Sequence, residues 1–242
     1  MAVTKQRLPR GAKARAQVVN ERLAVAIPEP IVELDFATAW QLLVATILAA
    51  QSTDKMINTI TPELFARWPE PRHLAVADLD EVEVVVKSSG FFRQKAKAIV
   101  TAAQKLVADF DGAVPETLED LVTVPGVGRK TANVVIGQAY RIATGIVVDT
   151  HVTRVSERLG LSAESDPEKI EADLCRLFPK ADWIDAGHRM VLHGRYLCMA
   201  RSPDCGACPL ADVCPSTTEA MTGSWSERAA AEGRRIPTRS RA

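Results

Sequence analysis

Residues 121–135 read Leu-Val-Thr-Val-Pro-Gly-Val-Gly-Arg-Lys-Thr-Ala-Asn-Val-Val and decide the fold. Two segments with helical apolar periodicity flank the tight turn at Gly126-Val127-Gly128. Glycine tolerates positive φ and leaves backbone N–H groups uncovered, so this turn predicts a small nest for a phosphate oxygen. Arg129 and Lys130 follow at the start of the second helix, where the helix dipole also favours an anion. The stretch therefore predicts a phosphate-binding helical hairpin, with an ordinary αα-hairpin as the alternative.

A second signal is a group of cysteines near the C-terminus, separated by six, two and five residues: Cys198, Cys205, Cys208 and Cys214. Four clustered thiolates bind either structural zinc or an iron–sulfur cluster. Zinc ribbons usually contain two CxxC pairs, whereas this chain has one. Disulfides form in oxidising compartments, and we expect no export of this chain. The spacing therefore favours an iron–sulfur cluster, and Cys175 is predicted to be a buried apolar residue of a helix.

The hairpin, Asp149 and the cysteine spacing together resemble the endonuclease III family of DNA glycosylases, over roughly residues 20–215. The resemblance implies an all-α helix–hairpin–helix glycosylase fold. It places a six-helix barrel domain at 32–143 and an iron–sulfur cluster domain at 16–31 and 144–216. It also implies a 4Fe–4S cofactor held by the four clustered cysteines. Such a cluster with four thiolates is negatively charged, so the flanking cations Arg195 and Arg201 are expected to offset its charge.

The resemblance also assigns the catalytic residues. Lys130 would be the nucleophile that attacks the sugar C1′ atom and forms a Schiff base. Asp149 would stabilise the positive charge that develops on the sugar, and its position before Thr150 also predicts a helix N-cap. The implied activity is that of a bifunctional glycosylase/AP lyase of base excision repair. Such an enzyme removes oxidised pyrimidines from duplex DNA and cleaves the strand by β-elimination.

A damaged base inside a duplex must be extruded before it can react, and side chains then fill the gap. By resemblance, Gln51 is one such residue and Phe91 is the apolar wedge. A polar helix end and a core aromatic residue are the alternatives, and Phe92 could replace Phe91. The hairpin residues expected to contact the DNA backbone are Gly126, Val127, Gly128 and Arg129.

Charge adds local information only, because 30 Lys and Arg balance 30 Asp and Glu. Arg93, Lys95 and Lys97 are expected near the DNA face, together with Arg129 and Lys130. The predicted partner is double-stranded DNA with damaged bases or abasic sites. We further expect a monomer in the cytoplasm, with no membrane contact.

Other functions remain open. Adenine glycosylases share the hairpin, the aspartate and the cluster, but they carry a catalytic glutamate where this chain has Ala45. A mismatch-specific glycosylase is a second alternative. An iron–sulfur electron-transfer protein would need the cysteines but not the hairpin, so DNA binding would distinguish it.

Proline and capping signals predict further helices, and the composition of the two ends predicts tails. Thr61-Pro62-Glu63 should begin a helix, because proline is favoured in a first turn. Ser165-Asp166-Pro167-Glu168 should begin another. Residues 1–15 are predicted to be a flexible basic arm and residues 217–242 a disordered tail.

Overall fold

Helices form all the regular structure in the computed structural model, which describes residues 9–237. In chain order the α-helices are α1 (Ala12–Ala26), α2 (Ala39–Leu48), α3 (Asp54–Arg67), α4 (Pro71–Ala75), α5 (Leu79–Val86), α6 (Phe92–Phe110), α7 (Leu118–Leu121), α8 (Arg129–Ala139), α9 (Thr150–Arg158), α10 (Pro167–Leu177), α11 (Trp183–Tyr196) and α12 (Trp225–Gly233). Short 3-10 helices cover Lys87–Ser89, Lys180–Asp182 and Ala211–Val213. No β-strand occurs between residues 9 and 237, so the predicted all-α fold is confirmed.

The chain divides into two compact units, of which the first is Val32–Thr144 and contains α2 to α8. Its core is built on α2, where Leu42, Leu43 and Leu48 are fully buried. The buried face of α6 completes this core with Ile99 and other apolar side chains. This unit begins at the residue expected for the barrel domain and ends one residue later.

The second unit contains the chain up to Ile31 and from Gly145 onward. Its described helices are α1 and α9 to α12. Helices α9 and α11 pack closely because Gly194 has no side chain: a Cβ atom there would lie 2.9 Å from Cβ of His151. The core of this unit also receives Cys208, and Cys198 and Cys214 pack against it. The core therefore supports the cysteine loop directly.

The predicted flexible arm at 1–15 is wrong for its last residues, because α1 begins at Ala12. Ala12 and Ala16 are buried, and Arg15 donates hydrogen bonds to the carbonyl oxygens of Leu159 and Gly160, both at 2.7 Å. These contacts fix the start of the helix. Residues 1–8 lie outside the described residues.

The predicted disordered tail at 217–242 is wrong for residues 225–233, which form α12. Ser224 and Glu227 form a capping box that satisfies N–H groups at the start of this helix. The helix packs on α1 so closely that a Cβ atom at Gly233 would lie 2.5 Å from the carbonyl oxygen of Ala26. Residues 238–242 lie outside the described residues.

Helix α3 begins at Asp54, earlier than the predicted start at Thr61. The Thr53 side chain caps it by accepting a hydrogen bond from the Met56 N–H at 3.2 Å. Pro62 therefore lies inside the helix, where it removes one backbone hydrogen bond. Ile57 and Leu64 are buried on either side of Pro62, and their core packing keeps the helix continuous.

No helix among the described residues is both long and apolar enough to cross a membrane.

The contacts of Arg15 lead to a stability prediction. Arg15→Met should lower the free energy of unfolding by about 1–3 kcal/mol, because two carbonyl groups lose their donor. Urea unfolding followed by circular dichroism measures this change. Lys13→Met is the matched control on the exposed face of α1 and should have little effect. Equal stability of the two variants would contradict the anchoring role of Arg15.

Candidate functional site

The hairpin turn joins α7 to α8 and lies against two other helices of its unit. Gly126 has a φ of 81°, and a Cβ atom there would lie 3.3 Å from Cβ of Ala98 and 3.8 Å from Cγ2 of Ile47. Only glycine combines this backbone with so close an approach. Gly128, by contrast, has open space around it and a φ of −90°. The tight fit therefore depends on Gly126.

Val127 points into the core from this turn. Its side chain is buried in the core, and its N–H donates to the carbonyl oxygen of Val124 at 3.1 Å. The N-cap of α8 is Gly128, which provides no side-chain cap. The first N–H groups of a helix have no partner within the helix. The start of α8, rather than Val127, therefore has the geometry for a phosphate.

Lys130 is exposed at the second position of α8. The opposite face of this helix is buried through Ala132, Val135 and Ile136. Arg129 is also exposed at the first position. The core packing of α8 therefore fixes the backbone while the Lys130 amine faces solvent.

Asp149 is the N-cap of α9, as its position before Thr150 predicts. Its Oδ1 atom accepts hydrogen bonds from the N–H groups of His151 at 2.8 Å and Val152 at 2.9 Å. The carboxylate is half-buried and held in one orientation by these two bonds. Lys130 belongs to the Val32–Thr144 unit and Asp149 to the other.

Gln51 and Phe91 both have exposed side chains on left-handed backbone, with φ of 56° and 47°. This conformation is uncommon outside glycine and costs energy, so it marks both residues as functional candidates. Phe91 is 61% exposed, whereas the adjacent Phe92 packs against the core. Of the two aromatic residues, Phe91 is therefore the one with an exposed ring.

The cations expected on the DNA face differ in exposure. Arg93 and Lys97 are exposed on α6. Lys95 is buried, so it does not present its charge at the surface as Arg93 and Lys97 do. Its ammonium group turns inward, to the carbonyl oxygen of Ser89 at 2.6 Å.

The four clustered cysteines line one cavity of about 180 Å³ in the second unit, together with Arg158 and His193. Cys208 is buried and the other three are half-buried. Burial raises the pKa of the Cys214 thiol, and the charges of the other three cysteines add to this effect. Cys175 lies outside the cavity on α10, where it is partly buried and packs against the core of this unit, so the prediction of a buried apolar residue holds only in part.

Donors around the sulfur atoms fit the requirements of an iron–sulfur cluster, whose potential and stability depend on such hydrogen bonds. The Leu210 N–H donates to Cys208 Sγ at 3.4 Å, and Arg158 Nη1 donates to Cys198 Sγ at 3.4 Å. Burial acts to raise the pKa of Cys198, but His193 and Arg158 outweigh it and hold the pKa below its ordinary value. The thiols and cations of this cavity suit an anionic cluster.

Sequence reasoning missed these cations, because it considered only Arg195 and Arg201, which flank Cys198. Arg158 comes from α9, far from the cysteines in sequence. It also donates to the backbone oxygens of Met199 at 2.8 Å and Ala200 at 2.9 Å. It therefore fixes the loop that follows Cys198.

Helix α12 holds the cysteine loop from outside the cysteine motif. Nδ1 of the buried His193 lies 2.5 Å from Oε1 of the buried Glu232, and Nε2 lies 3.9 Å from Cys208 Sγ. Burial alone would lower the pKa of His193, but Glu232 and the neighbouring cysteines raise it well above its ordinary value. Arg228 donates to the carbonyl oxygen of Cys208 at 2.7 Å. These contacts tie α12 to Cys208.

Comparison with known protein families gives one match that includes the hairpin and another that covers the cysteine segment. The family described as HhH-GPD superfamily base excision DNA repair protein matches residues 44–180. The iron–sulfur binding domain of endonuclease III matches residues 198–214, which begin at Cys198 and end at Cys214. Helix α12 follows the matched segment.

Individual relatives extend the match to most of the chain. Endonuclease III of Synechocystis is 50% identical over 204 residues, covering 84% of this chain and 93% of that protein. Endonuclease III of Escherichia coli K12 is 37% identical over 202 residues, covering 84% and 95%. A trapped covalent intermediate of an endonuclease III with DNA has a TM-score of 0.81 at 37% identity, covering 85% of this chain and 96% of that chain. A thermostable thymine-DNA glycosylase, at 19% identity, a TM-score of 0.78 and 86% and 98% coverage, shares the fold.

The fold and these matches define a helix–hairpin–helix DNA glycosylase of base excision repair. DNA is its partner, and a 4Fe–4S cluster is its cofactor. These findings exclude the alternative of a zinc site and the alternative function of a simple electron carrier. The chain belongs to the endonuclease III family, whose members combine glycosylase and AP lyase activity.

The buried pair between α11 and α12 leads to a prediction about the cluster. Glu232→Gln should lower the free energy of unfolding by about 3–5 kcal/mol, because buried His193 loses its charged partner. The loosened α12 should also speed the loss of visible cluster absorbance and of bound iron in air. Glu157→Gln, on the exposed side of α9, is the control and should retain both. Cluster loss at the wild-type rate in Glu232→Gln would show that α12 does not protect this loop.

Proposed function

We propose that this enzyme removes oxidised pyrimidines from duplex DNA and then cleaves the strand through a Schiff base on Lys130. The observation that carries the proposal is the exposed amine of Lys130 at the start of α8, directly after the uncapped turn at Gly128. The helix start would bind a phosphate while the lysine reaches the adjacent sugar. The relative trapped as a covalent DNA intermediate supports a covalent step.

The proposed reaction has two bond-breaking stages. The neutral Lys130 amine attacks C1′, the bond from C1′ to the base breaks, and the base leaves with a proton. Opening of the sugar ring gives an iminium ion between Nζ and C1′. The iminium acidifies the C2′ proton, whose removal expels the 3′ phosphate by β-elimination. Water then hydrolyses the imine and releases the lysine.

Asp149 would stabilise the positive charge that develops on the sugar as the base leaves. Both N–H groups that hold it bind the Oδ1 atom. A carboxylate already fixed by capping needs little reorganisation in the transition state. Capping and catalysis are therefore compatible roles for the same side chain.

Gln51 and Phe91 would occupy the gap left by the extruded nucleotide, since both are exposed. The proposed cluster ligands are Cys198, Cys205, Cys208 and Cys214, because these four share one cavity. The bound cluster would organise the exposed loop that presents Arg201 to DNA phosphates. We further propose a monomer that acts on cytoplasmic DNA.

The adenine-glycosylase alternative finds no support in the described structure. Ala45, at the position where those enzymes carry a catalytic glutamate, is fully buried in α2.

Trapping with borohydride tests the lysine assignment. Wild-type protein should form a covalent adduct with a duplex that carries one defined oxidised pyrimidine. Lys130→Gln should lose the adduct and lower the rate of base release by about three orders of magnitude, because no amine attacks C1′. It should still bind DNA, since the start of α8 is unchanged. Lys105→Gln, at a lysine of the same unit that pairs with Asp109 on α6, should retain the adduct. A full adduct in Lys130→Gln would refute the assignment.

Two matched substitutions separate the capping and catalytic roles of Asp149. Asp149→Asn keeps the capping oxygen but removes the charge, so base release should fall about 100- to 1000-fold with little change in stability. Strand cleavage at an abasic site should fall less, because no base has to leave. Asp166→Asn is the control, since Asp166 caps α10 with hydrogen bonds of 3.0 and 3.1 Å. Equal losses on the two substrates would instead place Asp149 in proton transfer during elimination.

A further inference from the structure

Lys95 connects the two loops that carry Gln51 and Phe91. Only 6% of this residue is exposed. Its Nζ atom donates hydrogen bonds to the carbonyl oxygen of Ser89 at 2.6 Å and to Oγ of Ser52 at 2.8 Å. The Ser52 hydroxyl itself donates to the same Ser89 carbonyl. The ammonium group, the hydroxyl and the carbonyl thus form a closed triangle between the two loops.

The backbone of Lys95 contributes a further contact to the same turn. Its N–H donates to the carbonyl oxygen of Phe91 at 3.1 Å. Lys95 therefore holds both Ser89 and Phe91, which flank Gly90. The three residues from Ser89 to Phe91 cannot shift as a unit without breaking bonds to this one lysine.

A buried ammonium group is costly unless its surroundings compensate for lost hydration. The partners of Lys95 are uncharged oxygens, and burial lowers its pKa below the ordinary value. The packing of α6 does not need this charge, because the helix already buries Ala96, Ile99 and Val100. The distinctive contribution of Lys95 is the connection between the loops.

Both connected loops contain residues with strained backbone. Gln51, Gly90 and Phe91 all have left-handed φ angles, of 56°, 68° and 47°. For the two residues with side chains this conformation persists only where surrounding contacts fix it. Ser52 follows Gln51 directly, and Ser89 lies two residues before Phe91, so the triangle acts next to both strained positions.

We infer that Lys95 is a positioning residue, which fixes the spacing between Gln51 and Phe91 so that both side chains enter the gap in the duplex together. This inference rests on the proposed role of those two residues in extrusion. Lys95 itself contacts neither the damaged base nor the sugar in this role. It fixes the two loops before DNA binds, which removes the cost of ordering them afterwards.

The experiment compares Lys95→Met with Ser52→Ala. The first removes the ammonium group at nearly constant length, and the second keeps the charge but removes the hydroxyl that it holds. Lys105→Met is the matched control, because Lys105 also lies on α6 but forms a partly exposed ion pair with Asp109. Unfolding in urea establishes that each variant is folded.

Two measurements isolate positioning. Fluorescence of 2-aminopurine, placed opposite a stable abasic analogue in a duplex, reports how well the enzyme opens the stack. Excision from a paired lesion is compared with strand cleavage at an abasic site in single-stranded DNA, which requires no extrusion. Lys95→Met should lower the fluorescence change and lower excision on the order of 10- to 100-fold, while single-strand cleavage stays near the wild-type rate. Ser52→Ala should show a smaller loss of the same kind.

A double-mutant cycle of Lys95→Met with Phe91→Ala tests whether Lys95 acts through Phe91. Once the Phe91 ring is absent, its position no longer matters, so adding Lys95→Met to Phe91→Ala should cause little further loss of excision. Additive losses, equal losses on both substrates, or defects in Lys95→Met with none in Ser52→Ala would overturn the inference. If Phe91→Ala leaves extrusion unchanged, the proposed wedge fails first. If Phe91→Ala impairs extrusion and Lys95→Met does not, only the positioning role fails. Should Lys95→Met not fold, Ser52→Ala and its cycle with Phe91→Ala decide the question.

Discussion

The close approach of Gly126 to α2 and α6 is the contact on which the position of the hairpin turn depends. A Cβ atom at this position would meet Ala98 of α6 at 3.3 Å and Ile47 of α2 at 3.8 Å. Gln51 follows the end of α2, and Phe91 precedes the start of α6. The hairpin turn therefore packs against the two helices whose ends carry Gln51 and Phe91, the residues proposed to enter the DNA. Because Gly126 has no side chain, the turn that precedes Lys130 can pack directly against these two helices.

Buried or half-buried polar groups then fix the orientations of side chains and loops that apolar packing alone does not determine. Asp149 accepts two N–H bonds at the start of α9, Lys95 holds two strained loops, and Glu232 fixes His193 beside Cys208. Hydrophobic burial is non-directional, whereas each of these hydrogen bonds specifies an orientation. Such groups lower stability if a partner is lost, so a substitution there changes geometry and stability together.

The sequence predicts the chemical motifs better than it predicts their supports. Gly126 and the spacing of the cysteines are local patterns, so they can be recognised without the fold. Arg158 reaches Cys198 from another helix, and no spacing in the sequence indicates that contact. The positive charge of Lys95 does not reveal that this residue lies on the buried face of α6, so its contacts with Ser52 and Ser89 cannot be predicted from the sequence. Helix α12 was missed because its Gly- and Arg-rich surroundings hide the capping box formed by Ser224 and Glu227.

The position of α12 changes how the cluster loop should be understood. The matched iron–sulfur segment ends at residue 214, yet Cys208 receives contacts from both His193 of α11 and Arg228 of α12. Arg22 of α1 completes this arrangement by pairing with Asp212 and lying 5.0 Å from the ring of Trp225. Helices from both ends of the chain therefore hold the loop between Cys208 and Cys214. Since the loop has little regular structure of its own, its geometry depends on these helices as well as on the bound cluster.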